Sequence, residues 1–239
     1  MLTAILCAAV AGLGNVAGGA LVVRSRLANS RRGLAALGGF GAGFMLAVAL
    51  IGMLPESLEM PGGLNAVLFG YLIVHLTQHA LIPHFHFGEE THAEAMTSRG
   101  IGVWALVGLL PHSFFDGVAI SSGFLQSEAL GFFIFLAILL HKVPTGVSLA
   151  SVMLASGNPS RRVQAAVLAV AAATVLGAGL TPLVGPLARW GLPVAAGVTI
   201  YVAASNLIPE SQREHSRLVQ GALFAGVLMF YLMESLLGH

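Results

Sequence analysis

Two short polar stretches interrupt otherwise apolar sequence, and their residue types are those of a metal site. The first, PHSFFDG, places His112 four residues before Asp116. The second, HKVPTG, repeats that spacing with His141 and Thr145. Residues four apart share one face of a helix. Imidazole, carboxylate and hydroxyl groups that converge from two adjacent helices suit a borderline divalent cation such as zinc, and we therefore predict a cation site here.

Lys142 directly follows His141 and allows a second interpretation of the same residues. An aspartate or lysine at the centre of a membrane span costs roughly 2.5–3.5 kcal/mol on insertion scales, so such groups normally pair or line a polar path. In the alternative interpretation, Asp116 and Lys142 form a buried ion pair and the histidines are hydrogen-bonded core residues. The sequence leaves both interpretations open.

The segments that carry these residues are apolar enough to cross a membrane. The 239 residues are 56% hydrophobic and 9% charged, with a mean hydropathy of +0.87, whereas soluble domains carry about 25% charged residues. A transmembrane helix needs about 20 apolar residues. We therefore expect an all-α integral membrane protein, a single domain over 1–239 with a histidine-containing cytoplasmic loop at about 84–100. The eight predicted spans are 1–23, 34–54, 64–83, 101–123, 129–155, 163–187, 192–209 and 218–237.

The two histidines are predicted to lie at matching depth in spans four and five. His112 and His141 are about 16 and 18 Å along their spans at roughly 1.5 Å per residue. Both depths are close to the centre of a hydrocarbon core roughly 30 Å thick. Pro111 and Pro144 each free a backbone carbonyl, which membrane helices tolerate where they face protein or a water-filled cavity.

The arginine distribution predicts the orientation of the spans. Nine of the ten arginines fall in loops on one side, Arg189 lies on the other, and the positive-inside rule makes the arginine-rich side cytoplasmic. Both termini are then outside, and we expect a bacterial cytoplasmic membrane. The nine are Arg24, Arg26, Arg31, Arg32, Arg99, Arg161, Arg162, Arg213 and Arg217.

One sequence echo indicates internal symmetry. Span two ends in GMLPES (52–57) and span seven ends in NLIPES (206–211), although these two spans run in opposite directions. An inverted repeat of spans 1–3 and 6–8 around spans 4 and 5 would produce this pattern. Inverted repeats are common in transporters, whose substrate sites lie near the midplane at the repeat interface.

HSFFDG, followed 29 residues later by HKVPTG, resembles the paired motifs of the ZIP (Zrt/Irt-like protein) family of divalent-metal transporters. The eight spans, GFMLAVALIGMLPES on span two and GVTIYVAASNLIPES on span seven are similar as well. The resemblance implies an eight-helix carrier with a metal site on spans four and five. By position, it assigns that site to His112, Asp116, His141, Ser113, Thr145 and Met45.

Three residues depart from the family pattern. Lys142 replaces the usual acid on span five, Thr181 stands where many bacterial members have glutamate, and Asn206 replaces an acid on span seven. Family members often bind two metals side by side. The resemblance therefore implies that this chain has lost most carboxylates of the second site, where Lys142 balances charge instead.

Span three and the loop after it contain a further group of histidines. They form an exit path towards the cytoplasm in one interpretation, and structural polar residues plus a solvated linker in the other. The sequence favours neither. The group comprises His75, His79, His84 and His86.

The leading functional prediction is a secondary transporter that moves a divalent transition metal, most readily zinc, into the cytoplasm. The alternative is an intramembrane zinc-dependent hydrolase, against which the absence of HExxH counts. A metal sensor or a proton-coupled carrier of another solute stays open. We expect no enzyme activity and no cofactor beyond the transported metal. The expected partners are the metal and the lipid bilayer, not nucleic acid, and a homodimer is compatible with the sequence.

Overall fold

The computed structural model describes residues 1–24, 31–79, 99–212 and 216–237, and all regular structure within them is helical. Eight helices follow one another along these residues. They are α1 (Leu2–Arg24), α2 (starting with Arg31–Ala47), α3 (Gly63–His79), α4 (Arg99–Gln126), α5 (Glu128–Ala155), α6 (Ser160–Leu180), α7 (starting with Gly185–Tyr201) and α8 (Arg217–Leu237).

Helices α2 and α7 share an unusual ending. Helix α2 continues through a π-helical segment, Val48–Met53, into Leu54–Leu58, and α7 continues through Val202–Leu207 into Ile208–Gln212. The amide after each π segment bonds five residues back, from Leu54 to Ala49 and from Ile208 to Ala203. A proline follows in each case, and its ring would clash with the carbonyl four residues earlier in a regular α-helix. The wider π turn accommodates that proline, so the two PES motifs adopt the same local structure.

The helices have the lengths and composition of membrane spans. Among the described residues, seven are long and apolar enough to cross a bilayer, and the apolar part of α3, Gly63–Thr77, is shorter. The prediction of an all-α integral membrane protein is therefore confirmed.

The predicted boundaries between the sixth and seventh spans are wrong. The sixth span was expected to end at residue 187 and the seventh to begin at 192, but α6 ends at Leu180 and α7 begins at Gly185. Two prolines explain the difference. Pro182 directly follows the C-cap of α6 and has no N–H to extend its hydrogen bonds, whereas Pro186 lies in the first turn of α7, where its missing N–H costs nothing. The proline pair therefore marks a turn between two helices.

The helices pack as two groups of four. The site bundle, which we define as α1, α4, α5 and α6, is held together by contacts of α1 with α5 and α6 and of α4 with α5 and α6. The support bundle, defined as α2, α3, α7 and α8, is held by contacts of α2 with α8 and α3 with α7. The two bundles meet where α2 contacts α5 and where α7 contacts α4. These pairings are those that an inverted repeat of α1–α3 and α6–α8 around α4 and α5 would produce.

Glycines allow the closest approaches within each bundle. Four helix pairs (α1 with α5, α4 with α6, α2 with α8 and α3 with α7) each meet through two reciprocal glycines. A Cβ at any of these positions would lie within 2.2 Å of a carbonyl oxygen on the facing helix. Small residues let membrane helices pack backbone to backbone, so each bundle is tightly joined internally. The pairs are Gly18 with Gly146, Gly117 with Gly177, Gly43 with Gly226, and Gly70 with Gly197.

Candidate metal centre

The packing of α4 against α5 brings three predicted ligands together. One ligand atom each from His112, Asp116 and His141 lies within 4.8 Å of the others. Asp116 Oδ2 is 3.4 Å from His112 Nε2 and 3.6 Å from His141 Nε2. All three side chains are buried. The three residues therefore form one compact cluster of nitrogen and oxygen donors.

The cluster lies halfway along both helices that carry it. Counted from Arg99, His112 is the fourteenth of the 28 residues of α4. Counted from Glu128, His141 is the fourteenth of the 28 residues of α5. Both helices continue through their internal prolines, Pro111 and Pro144. The two histidines thus occupy equivalent positions along their helices, while their depth in a membrane stays a prediction.

Hydrogen bonding leaves a nitrogen of His141 available to a ligand. Its Nδ1 lies 3.1 Å from the carbonyl oxygen of Ala137. A carbonyl only accepts, so Nδ1 carries the proton and donates it, which leaves a lone pair on Nε2. That Nε2 is buried without a hydrogen-bond partner, as is Nδ1 of His112. Fixing one ring nitrogen of a histidine to a carbonyl is the usual way in which a ligating histidine is oriented.

Lys142 completes the charge balance of the cluster. It is the only lysine in the chain, and Asp116 is the only aspartate. Lys142 Nζ lies 2.8 Å from Asp116 Oδ2, and both side chains are buried. The ion pair of the alternative interpretation is therefore present. It uses the same carboxylate oxygen that faces both histidines, so the pair and the cluster are parts of one site.

The hydroxyl groups beside the cluster have other partners. Ser113 Oγ accepts a hydrogen bond from Lys142 Nζ at 3.2 Å. Thr145 Oγ1 donates to the carbonyl of His141 at 2.7 Å, within its own helix. Both oxygens keep lone pairs, but neither belongs to the cluster of three.

Met45 belongs to the part of the support bundle that packs against α5. Its side chain is fully buried on α2. One turn earlier on the same helix, the backbone of Gly41 lies against Leu140 and His141, where a Cβ would be 3.5 Å from the His141 amide nitrogen. Met45 is therefore on the face of α2 that meets α5.

His75 of α3 is separate from this cluster. It is exposed, and its ring centroid is 5.9 Å from that of Tyr201 on α7. The side chain of His79, together with His84, His86 and the predicted loop up to residue 98, lies outside the described residues, while residues 99 and 100 of that predicted loop belong to α4. The exit path stays a prediction.

One residue of the site was not predicted from the sequence. Thr174 on α6 is fully buried, and its Oγ1 accepts a hydrogen bond from Lys142 Nζ at 2.9 Å. It is the single threonine of an apolar helix, without a motif around it. Two of the departures from the family pattern are also buried, namely Thr181, whose Oγ1 donates to the Gly177 carbonyl at 2.8 Å, and Asn206 in the π segment of α7.

The known proteins that are similar to this chain are named as zinc transporters. The human zinc transporter SLC39A7 is 29% identical over 161 residues, which cover 63% of this chain and 34% of that protein. The zinc transporter ZIP13 of Pongo abelii is 29% identical over 151 residues, covering 59% of this chain and 46% of that protein. The zinc transporter zipt-7.2 of Caenorhabditis elegans is 28% identical over 135 residues, covering 51% and 29%.

The chain spans about a third of the length of the SLC39A7 proteins that it matches. A family model matches a larger share of this chain than these relatives do. The model described as ZIP Zinc transporter covers residues 75–234, which include the cluster on α4 and α5 and extend into α8. On that match, together with the motifs and the helical membrane fold, the chain belongs to the ZIP zinc transporter family.

Proposed function

We propose that this protein is a secondary transporter that carries a divalent transition metal, zinc in the first place, into the cytoplasm. The observation that carries the proposal is the buried cluster of His112, Asp116 and His141, whose ligand atoms lie within 4.8 Å of one another. Buried polar groups without partners are expensive in an apolar bundle unless a ligand uses them. The relatives named as zinc transporters support the choice of metal.

The donor atoms are of types that zinc prefers, and their number leaves one coordination position open. Two imidazole nitrogens and one carboxylate oxygen are common zinc ligands, and sites that exchange their ligand keep a position open beside three protein donors. In this proposal His112, Asp116 and His141 supply the three donors. The open position is taken by water or by one of the neighbouring donors, Ser113, Thr145 and Met45. A carrier needs such a site because the metal must leave again.

The proposed direction follows from the arginine-rich loops. The positive-inside rule puts those loops in the cytoplasm and both termini outside. Uptake would then carry the metal from the side of the termini to the arginine-rich side. The bacterial cytoplasmic membrane stays a prediction, since the relatives reported above are animal proteins.

The proposed motion is a displacement of the site bundle against the support bundle. Glycine contacts join the helices within each bundle closely, whereas α2 with α5 and α4 with α7 meet between bundles. Because α4 and α5 both belong to the site bundle, the metal ligands would move together. The coordination geometry is thereby kept while access changes from one side to the other.

Lys142 has a proposed role in the empty carrier. Its ammonium lies beside Asp116, where the family resemblance implies a second metal. An unpaired aspartate at this depth would be costly. We infer that Lys142 takes the place of the second ion and keeps the interior neutral when no metal is bound.

The test is metal uptake into vesicles that contain the purified protein. We expect zinc uptake by the wild type, measured beside Cd, Fe, Mn and Co. His112→Ala, Asp116→Ala and His141→Ala should each abolish it without preventing membrane insertion. Ser122→Ala changes an equally buried residue of α4 away from the cluster and serves as the matched control. Normal uptake by Asp116→Ala would contradict the proposed site.

The hydrolase alternative has no structural observation in its favour. The relatives are named as transporters, which agrees with the prediction that the chain is not an enzyme. A catalytic zinc site also needs a general base for its water. Among the described residues, the cluster contains a single carboxylate, and Lys142 already engages it.

A further inference from the structure

Lys142 Nζ makes two hydrogen bonds and one ion pair. It donates hydrogen bonds to Thr174 Oγ1 at 2.9 Å and to Ser113 Oγ at 3.2 Å. Asp116 Oδ2 lies 2.8 Å away as the counter-charge, but it accepts no hydrogen bond. The side chain is fully buried, so water does not compete for these positions. A lysine ammonium carries three donors and no acceptor. The two hydroxyl groups therefore satisfy two of its donors, while Asp116 balances its charge.

Metal binding would change the contacts of Asp116, one of the three residues around the ammonium. Asp116 Oδ2 lies 3.4 and 3.6 Å from the Nε2 atoms of His112 and His141 and 2.8 Å from the ammonium. A dication between the histidines would draw this oxygen towards itself and would repel the nearby ammonium. Lys142 must then rely on acceptors other than Asp116. A buried ammonium that lost its acceptors altogether would oppose metal binding strongly.

Lys142 is enclosed within the site bundle. Its side chain is fully buried, and the backbone of Gly14 on α1 lies against its root, where a Cβ on Gly14 would be 3.1 Å from Lys142 Cβ. Because a buried ammonium needs hydrogen-bond acceptors, the acceptors that replace Asp116 must lie close by. Ser113 on α4 and Thr174 on α6 fulfil that requirement.

Thr174 is held in a fixed position relative to Asp116. Its carbonyl oxygen packs directly against Gly117, the residue after Asp116, where an added Cβ would be only 1.9 Å away. Its Oγ1 is also 3.3 Å from the Val170 carbonyl, to which the hydroxyl donates its hydrogen. The lone pairs of Oγ1 then face Lys142. Its position and the direction of its own hydrogen bond therefore orient Thr174 Oγ1 to accept a hydrogen bond from Lys142.

We propose that Ser113 and Thr174 form a hydroxyl cradle that holds the Lys142 ammonium when Asp116 turns to the metal, and that Thr174 is thereby a positioning residue that sets metal affinity. The inference rests on the proposed transport function of the same site. In the empty carrier, Lys142 is shared among Asp116 and the cradle. In the loaded carrier, the cradle keeps the ammonium while the metal takes the carboxylate oxygen.

Removing the hydroxyl of Thr174 should weaken metal binding in a specific way. Thr174→Val keeps the shape of the side chain but leaves the ammonium more dependent on Asp116. A hydrogen bond to a charged group corresponds to roughly a tenfold change in an equilibrium constant. We expect KM for zinc uptake and Kd for zinc binding to rise about tenfold, with little change in the maximal rate. Thr174→Ser retains an acceptor and should restore values near those of the wild type.

The matched control and the double variant separate this role from packing. Thr181→Val removes another buried hydroxyl, which lies directly after the end of α6 and bonds to the Gly177 carbonyl of that helix, and it should leave KM unchanged. In a Lys142→Met background, Thr174→Val should have no further effect on Kd, because the group that it positions is gone. Lys142→Gln is used in the same way if the methionine variant fails to fold.

Two results would overturn the cradle. The first is an equal rise in Kd from Thr174→Val with and without Lys142. The second is a loss in Thr174→Ser as large as in Thr174→Val. Zinc binding to the detergent-solubilised full chain is measured beside vesicle uptake. A wild type that binds zinc without transporting it contradicts the proposed function, while the binding series still decides for or against the cradle.

Discussion

At the scale of single residues, the site pairs the only aspartate of the chain with its only lysine. Asp116 Oδ2 and Lys142 Nζ are 2.8 Å apart, and both side chains are buried. Asp116 therefore has two roles, as the counter-charge of Lys142 and as the proposed anionic ligand of the metal. A single substitution of Asp116 removes both roles. They can be separated only if Lys142 is substituted as well.

Asp116→Asn should be destabilising as well as inactive. It leaves a buried ammonium without its counter-charge, and breaking a buried pair in this way costs about 3–5 kcal/mol. Asp116→Asn with Lys142→Met replaces both charges and should recover most of the thermal stability. Zinc binding should stay absent in both variants. Thermal unfolding in detergent, with zinc titration of each variant, checks this. Zinc binding by the double variant would show that the carboxylate is not a ligand.

The part of the site that the sequence predicted is the part that is local along the chain. His112 with Asp116 shows itself by i,i+4 spacing, and the carboxylate and histidines are conspicuous in apolar spans. Thr174 lies on another helix, and its contact with Lys142 at 2.9 Å depends on how α6 packs against α4. A threonine in an apolar helix is ordinary by itself, so only the tertiary arrangement reveals its role.

At the scale of helices, the spans were predictable from hydropathy because a membrane helix needs a long apolar run. The two π segments were not. The PES motifs show that a proline lies near the end of α2 and of α7. Whether that proline causes a kink, ends the helix or lies in a wider π turn depends on packing. The turn between α6 and α7 was missed for a related reason. Only the position of Pro186 within the next helix distinguishes a helix start from a helix break.

A disulfide across the bundle interface should stop transport. A Cβ on Gly191 of α7 would lie 3.7 Å from Ser122 Cβ of α4, within the Cβ–Cβ range of disulfides. In a Cys7→Ser background, oxidised Ser122→Cys/Gly191→Cys should lose zinc uptake and regain it on reduction, because the bond ties the two bundles together. The measurement is zinc uptake before and after treatment with a reductant.

The control disulfide joins two helices of one bundle. A Cβ on Gly39 of α2 would be 3.6 Å from Ser211 Cβ at the end of α7, and both helices belong to the support bundle. Oxidised Gly39→Cys/Ser211→Cys should therefore keep transporting. Full uptake by the oxidised inter-bundle pair would rule out the proposed motion.

At the scale of the whole molecule, the proposed transport depends on two features: the relation of the bundles and the orientation in the membrane. The helix pairs that the predicted repeat would relate meet through reciprocal glycines in both bundles. An inverted repeat can exchange the conformations of its two halves, which would give outward and inward access from one fold. In our proposal the arginine distribution predicts which side faces the cytoplasm.

The orientation leads to a labelling pattern. In a Cys7→Ser background, Ser30→Cys in the loop between α1 and α2 should be protected from an impermeant thiol reagent added outside intact cells. A cysteine added after His239 should react. Both should react after the membrane is permeabilised. If the loop cysteine is labelled in intact cells, the orientation is reversed, and with it the direction of transport.

The central claim is that the metal binds between α4 and α5, at the middle of the site bundle. Anomalous scattering at the zinc edge from crystals of the zinc-loaded protein tests it directly. We predict one strong peak within coordination distance of His112 Nε2, His141 Nε2 and Asp116 Oδ2, and none where the Lys142 ammonium lies. A second full peak beside Lys142 would contradict its role as a substitute for the second ion. A peak elsewhere in the protein, with none at the three ligands, would contradict the site itself.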